Sequence, residues 1–265
     1  MKISHETPFD LMDHFRAKFN DYDYALVHLF KYPKYKQFFI DSLKMGRTVY
    51  LDNSIYELGK SFDPKEFAKI ANELSEYATQ NNRLVVIAPD VWNDSKETIK
   101  NYVRFTTLVN EDIKLMAVLQ GISTEELFDC YEALQENCSL IGVNHMSMAF
   151  GYAETSNIVS ASNKRIEFVK ELNDRARNDG VNIHLLGILL AQEIIKLNSL
   201  SNVVSADTSN PVCFGLSYKS YISNGACNEK PVWSIDDWIK ENKEMDSLQL
   251  QYACVNAQFF KSFII

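Results

Sequence analysis

Residues 84–120, LVVIAPDVWNDSKETIKNYVRFTTLVNEDIKLMAVLQ, decide the fold. An apolar run over 84–89 ends at Asp90, a helix-like stretch follows over 95–109, and a second apolar run over 115–120 ends at Gln120. Runs without polar alternation are what strands covered on both faces require, so the unit reads as two parallel strands joined by a helix.

The same alternation extends in both directions. Apolar runs over 25–30, 48–52, 140–144, 183–188 and 203–207 complete seven strands, and helix-like stretches lie over 64–79, 124–135, 157–178 and 190–198. In the first of these helices Phe67, Ile70, Ala71, Leu74 and Ala78 recur at helical spacing behind an expected Asp63 cap, with Pro64 in the first turn. Residues 230–233 are the expected eighth strand, followed by a closing helix over 248–263. With 265 residues, no internal repeat and no linker, the chain reads as one α/β domain over 1–265, a TIM-type (β/α)₈ barrel. No glycine-rich turn follows the first apolar run, which weighs against a doubly wound dinucleotide-binding sheet.

Composition narrows the function classes. Hydrophobic residues make up 46% of the chain, enough for a sizeable core, and the formal net charge is -8. A generally basic surface for nucleic acid is therefore excluded, and attraction to phosphates must come from a local patch in the loops after the strands. Lys219 and Lys230 are the foremost candidates, with Lys31, Lys34, Lys36, Lys164 and Arg165 behind them. For each of these, an ordinary solvated charge is an equally good reading. The N-terminus has no signal-like apolar region and no stretch spans a bilayer, so a cytoplasmic protein away from membranes is expected. Cys130, Cys138, Cys213, Cys227 and Cys254 are scattered without a CxxC pair, and the five histidines show no ligand spacing. Neither zinc nor another cofactor is expected.

Polar residues end the apolar runs: Asp52, Asp90, Gln120, Asn144 and Asp207. In a barrel such positions converge on one mouth. A single aspartate there is as readily a cap for the next helix, but several at successive strand ends favour a site. His28, His145 and His184 lie at or near strands and read as hydrogen-bonded structural side chains, with His145 kept in view.

Six segments, in order, resemble the tRNA-guanine transglycosylases. LDNSIYE (51–57) is similar to their S-D-S-G-G-F-Q, APDVW (88–92) to their second aspartate segment, and VLQG (118–121) to G-I-x-Q-G. IGVNH (141–145) is similar to their base-binding strand, HLLGI (184–188) to Y-L-M-G-V, and SADTSNP (205–211) to F-D-C-V-x-P. The resemblance implies that Asp207 is a nucleophile on C1′ of the sugar and that Asp52 handles protons on the departing and incoming bases. It implies a guanine pocket from Asp90, Gln120, Gly121, Leu186 and Gly187, with Tyr56 stacking on the base and the backbone at Gly142 and Val143 lining a 7-substituent. Three departures stand out. Ser54 and Ile55 replace two glycines, Glu57 replaces a glutamine, and the family's C-terminal zinc motif is missing. A shortened, zinc-less barrel resembles the relatives that place 7-deazaguanines into DNA, so DNA is favoured over tRNA as partner. An N-glycoside hydrolase releasing a free base, or an inactive base-binding barrel, are the alternatives; oligomeric state stays open.

Overall fold

The computed structural model describes residues 1–80, 83–144, 158–188, 190–224, 233–241 and 243–264. Eight parallel strands form one sheet: β1 (Lys2–His5), β2 (Asp23–Leu26), β3 (Val49–Asp52), β4 (Leu84–Ile87), β5 (Lys114–Val118), β6 (Leu140–Asn144), β7 (Asn182–Leu186) and β8 (Val203–Thr208). Around them run α1 (Met12–Lys18), α2 (Pro33–Lys44), α3 (Ile55–Leu58), α4 (Pro64–Ser75), α5 (Ser95–Thr106) and α6 (Thr124–Leu134). Then follow α7 (Ile158–Asp179), α8 (Ala191–Leu197), α9 (Asn210–Leu216), α10 (Tyr221–Asn224), α11 (Ile235–Lys240) and α12 (Ser247–Lys261). The strand order is β1-β8-β7-β6-β5-β4-β3-β2, which makes this a TIM-type barrel.

The eighth strand is not at 230–233. Trp233 is outside any strand, residues 230–232 lie outside the described ones, and the eighth place belongs to β1, paired with β8 through Ile3↔Ala206 and Ser4↔Asp207. Four residues with the sequence KISH carry one strong β-former among polar neighbours, so their apolar signal is too weak to read. The seam between β1 and β2 is closed by residues just ahead of β2. Asp21 N–H donates to the Ile3 carbonyl (2.9 Å), Asp21 Oδ2 accepts from Ile3 N–H (2.9 Å), and Asn20 Oδ1 accepts from His5 N–H (2.8 Å). Side-chain oxygens thus stand in for a ladder, and edge groups that would be costly to bury unpaired are satisfied.

Local chemistry explains the helix starts. Asp63 accepts from the backbone of Lys65 and Glu66 with Pro64 in the first turn, Asp94 accepts from Glu97, and Ser123 from Glu126. Asp246 and Gln249 form a reciprocal capping box at α12. Helical turns also occupy part of the expected 25–30 strand and the stretch after β8. Residues 27–31 turn into a 3₁₀ helix after β2 ends at Leu26, and the segment after β8 folds into α9 and α10. The stretch after β6, residues 145–157, lies outside the described residues. Helix α9 packs on α12 so closely that a Cβ at Gly215 would sit 2.4 Å from the Ala253 nitrogen. Among the described residues no helix is long and apolar enough to cross a membrane.

Candidate active site

A cavity of about 480 Å³ opens at the C-terminal ends of the strands. Every strand contributes to it, from Glu6 just after β1, through Tyr24, Asp52, Asp90, Gln120, Asn144 and Gly187, to Asp207 on β8. Convergence of polar groups from separate strand ends is the arrangement by which a barrel builds a site.

Asp207 is held by two partners. His184 Nε2 lies 2.9 Å from Oδ1, and the Gly187 N–H points at both oxygens, 3.2 and 3.1 Å away. The other nitrogen of His184 lies 2.8 Å from Ser205 Oγ, whose hydroxyl is 3.4 Å from Tyr50 Oη. With Nε2 protonated towards the carboxylate, Nδ1 accepts from Ser205, and the relay fixes the ring. His184 is fully buried against Tyr24 and Tyr50. It is hydrogen-bonded, as the sequence suggests, but its partner is the site's own carboxylate.

Asp52 sits in a different environment. It accepts from Tyr24 Oη (2.7 Å) and from the Ser54 N–H (2.5 Å), yet burial pushes its carboxyl up to about 7, with Asp207 and Asp90 adding to the rise. Ser54 makes that second bond from a left-handed backbone (φ 58°, ψ 30°). A serine therefore occupies a conformation that favours glycine, at the position where the resembling family has glycine.

Asp90 points inward and does not cap a helix. Its Oδ1 accepts from Asn53 Nδ2 (2.8 Å) and its Oδ2 from Gln120 Nε2 (2.5 Å), while burial raises its carboxyl. Gln120 Oε1 in turn accepts from the Asn93 N–H (3.1 Å). One lone pair on each Asp90 oxygen remains for a donor in the cavity. Tyr56, half exposed on α3, and Leu186 complete the sequence-expected lining.

Several expected positions lie elsewhere. Gly142 and Val143 are not among the lining residues. A Cβ at Gly142 would meet Leu186 Cδ1 at 2.7 Å and Met116 Sδ at 3.1 Å, so this glycine serves packing inside the barrel. The Val143 carbonyl faces Arg165 Nη1 at 3.5 Å. Gly121 is also outside the cavity, pressed on α6 with the Glu126 Cβ 2.9 Å from where its own would be. Arg165 is no phosphate contact. It is fully buried, paired with Glu193 (Nε to Oε2, 2.5 Å), and donates to the Leu186 carbonyl (2.7 Å) and the Gly187 carbonyl (3.3 Å). It braces the turn whose N–H holds Asp207. Lys219 lies 5.9 Å from the Phe214 ring and does not line the cavity, Lys36 pairs with Glu73, and His145 and Lys230 lie outside the described residues.

Sequence reasoning does not find Glu6, Tyr24, Asn53, Trp92, Asp236 and Lys240 as lining residues, and Trp233, expected in a strand, is another. Trp233 does meet Trp238 edge-on at 5.6 Å, but it also borders the opening. Helix α11 reaches the mouth because Asp236 accepts from Lys240 and pairs with His28 Nε2 (3.0 Å). Burial alone would raise the Asp236 carboxyl, and these partners hold it below its usual range.

The described lining holds Glu6, Asp52, Glu57, Asp90, Asp207, Asp236 and Asp237 against one cation, Lys240. The mouth is nonetheless far from carrying all those charges at neutral pH. Burial raises Glu6 well above its ordinary value, Glu57 to about 8 and Asp52 to about 7, and Asp236 is paired with Lys240. Among the described residues no group of three or more His, Cys, Asp or Glu side chains could hold a metal ion.

No family model matches the chain, and no curated protein matches it. Solved structures that it resembles include a candidate dehydratase from Mesorhizobium loti, at 10% identity and a TM-score of 0.50, covering 77% of this chain and 51% of that one. The chain thus spans about half the length of that protein. N-acetylneuraminate lyase from Mycoplasma synoviae aligns at 12% identity and a TM-score of 0.40, over 87% of this chain and 78% of that one. D-psicose 3-epimerase aligns at 12% identity and a TM-score of 0.31, over 91% and 99%. At such identities the likeness is one of fold.

Proposed function

We propose that this chain is an enzyme that breaks and re-forms the N-glycosidic bond of a guanine nucleotide in nucleic acid, DNA before tRNA, exchanging guanine for a 7-deazaguanine. The observation that carries the reading is the pair Asp52 and Asp207, two carboxyl groups facing one cavity in unlike environments. The Asp207 carboxylate attacks C1′, a C–O bond forms, and the C1′–N9 bond breaks with its electron pair on the base. Asp52, raised to about 7, carries a proton near neutrality and delivers it to the departing base. The incoming base loses its N9 proton to Asp52, attacks C1′, and returns Asp207 to a free carboxylate. Asp90, with one acceptor site left on each oxygen, suits the N1–H and amino edge of a guanine-type ring. The six ordered sequence segments support the same assignment.

One observation favours a second reading. The sole lining cation among the described residues, Lys240, is tied to Asp236, so the lining offers a phosphate backbone little to hold. A hydrolase acting on a free nucleoside, with water resolving the Asp207 ester, suits such a mouth. Incubation with labelled guanine and duplex DNA, single-stranded DNA, tRNA or guanosine separates the two. Label in a polymer supports exchange, release of base from guanosine without uptake supports hydrolysis, and neither product removes both.

A further inference from the structure

We propose that Trp92 is a stacking platform for a second nucleobase, the one adjacent to the reacting nucleotide in an unpaired strand. The inference rests on the glycosidic reading above and deepens it by naming the substrate class: a single strand rather than a free nucleoside.

Trp92 lines the cavity yet is 37% exposed, two residues beyond Asp90. Its indole has no hydrogen-bond or ring partner among the described residues. The turn that carries it is nevertheless fixed. Val91 N–H donates to Thr98 Oγ1 (2.9 Å), Thr98 Oγ1 donates to the Val91 carbonyl (3.2 Å), and Asp94 N–H closes the turn on Val91 (3.1 Å). Asn93 takes a left-handed backbone (φ 58°), and its N–H is anchored by Gln120, the side chain that also grips Asp90. A constrained turn that presents a large ring to solvent beside a pocket is preorganised for a flat partner.

The chemistry of the mouth selects that partner. Among the described residues the one lining cation, Lys240, is already paired, so this lining offers neighbouring nucleotides little through their phosphates, and ring stacking is the contact it does supply. Every base offers a π-face, so such a platform is tolerant of sequence. A base stacked on protein has left its complementary partner, which selects an unpaired or locally opened strand.

The test measures anisotropy of a fluorescein-labelled five-nucleotide single strand with a central guanine, competed by guanosine monophosphate, for wild type, Trp92→Ala and Trp92→Phe. The expected result is a wild-type preference for the oligonucleotide of about tenfold or more, collapsing in Trp92→Ala and largely kept in Trp92→Phe. A preference unchanged in Trp92→Ala, or no preference in wild type while the mononucleotide competes, overturns the platform and leaves the glycosidic reading standing. Binding of neither probe overturns both. A wild-type oligomer that Trp92→Ala dissolves, seen by sedimentation, would assign the ring to a protein interface and also overturn the proposal. Thermal melts confirm that each variant folds.

Discussion

His184 and Asp207 share one buried hydrogen bond, Nε2 to Oδ1 at 2.9 Å, and the imidazole's other nitrogen is taken by Ser205. The carboxylate proposed to attack C1′ therefore has its direction set by a residue that does not line the cavity. Replacing the ring by a smaller group frees the carboxylate to turn, and misplacing a reacting group by about 1 Å costs on the order of 10²-fold in rate. His184→Ala should lower kcat by about that factor with KM changed little, and Ser205→Ala should lower it less, since the ring keeps its bond to Asp207. Steady-state kinetics check this; a change confined to KM would remove His184 from the positioning role.

Asp207→Asn should keep the fold and the affinity for base, and lose exchange altogether, because an amide is a very poor nucleophile. In the wild type, the ester between Asp207 and the sugar should survive denaturing electrophoresis as a protein band carrying labelled oligonucleotide, absent from the variant. Exchange near the wild-type rate in Asp207→Asn would remove the nucleophile from this position.

The raised carboxyls make a pH prediction whose sign is opposite to that of a salt-bridged acid. Asp52 and Glu57 bind protons in the folded state up to about 7 and 8, whereas their unfolded carboxyls lose them near 4. Their contribution to stability is present at low pH and is lost as pH rises through that window. Asp52→Asn and Glu57→Gln should thus melt higher than wild type at pH 8 and show little difference at pH 4. Each kcal/mol recovered moves the midpoint by roughly 2–4 °C for a chain of this size. The rate of base departure should fall above pH about 7, as Asp52 loses the proton it donates. Calorimetry across pH checks the first statement, a pH–rate profile the second.

What could be read from the sequence and what could not divide along physical lines. Seven strands showed because each is an apolar run covered on both faces, and Asp52, Asp90, Gln120 and Asp207 showed because they end such runs. Strand β1 did not, being four residues long with Ile3 its one apolar residue, and Glu6 stayed hidden with it. Asp236 and Lys240 reach the mouth only through the pairing of α11 with His28, some 208 residues away in the chain, which no local pattern reveals. Arg165 looks like any exposed cation on an amphipathic helix; its burial follows from Glu193 and three carbonyls that only the fold brings to it. Gly142 and Val143 match a base-binding strand in sequence, but side chains of β5 and β7 pack over that glycine.

Gly215 tests the packing beneath the site. A methyl group there would lie 2.4 to 2.8 Å from the backbone and Cβ of Ala253, and backbone cannot swing aside as a side chain can. Gly215→Ala should therefore destabilise by about 1–3 kcal/mol, against the gain an alanine ordinarily brings to a helix. Denaturant titration checks it; a more stable variant would mean that α9 and α12 can part at small cost.

Ser54 tests how Asp52 is tuned. Its left-handed backbone (φ 58°, ψ 30°) costs a non-glycine residue about 1 kcal/mol or more, and its hydroxyl returns only a long contact, 3.4 Å from the His28 N–H. Its N–H, by contrast, is what reaches Asp52 Oδ1 at 2.5 Å, and that bond lowers a carboxyl otherwise raised by burial. Ser54→Gly relaxes the strain and keeps the N–H, so its melting midpoint should stay within a few degrees of wild type with the pH–rate profile unmoved. Ser54→Val puts a β-branched residue where φ is positive, which forces the turn out of shape. The N–H then leaves Asp52, and the carboxyl rises further. Ser54→Val should accordingly melt lower and show the alkaline fall in rate displaced to higher pH. The displacement distinguishes loss of the Asp52 contact from general loosening, which would lower the rate at every pH alike. An unmoved profile in Ser54→Val would show that the Ser54 N–H does not set the proton affinity of Asp52.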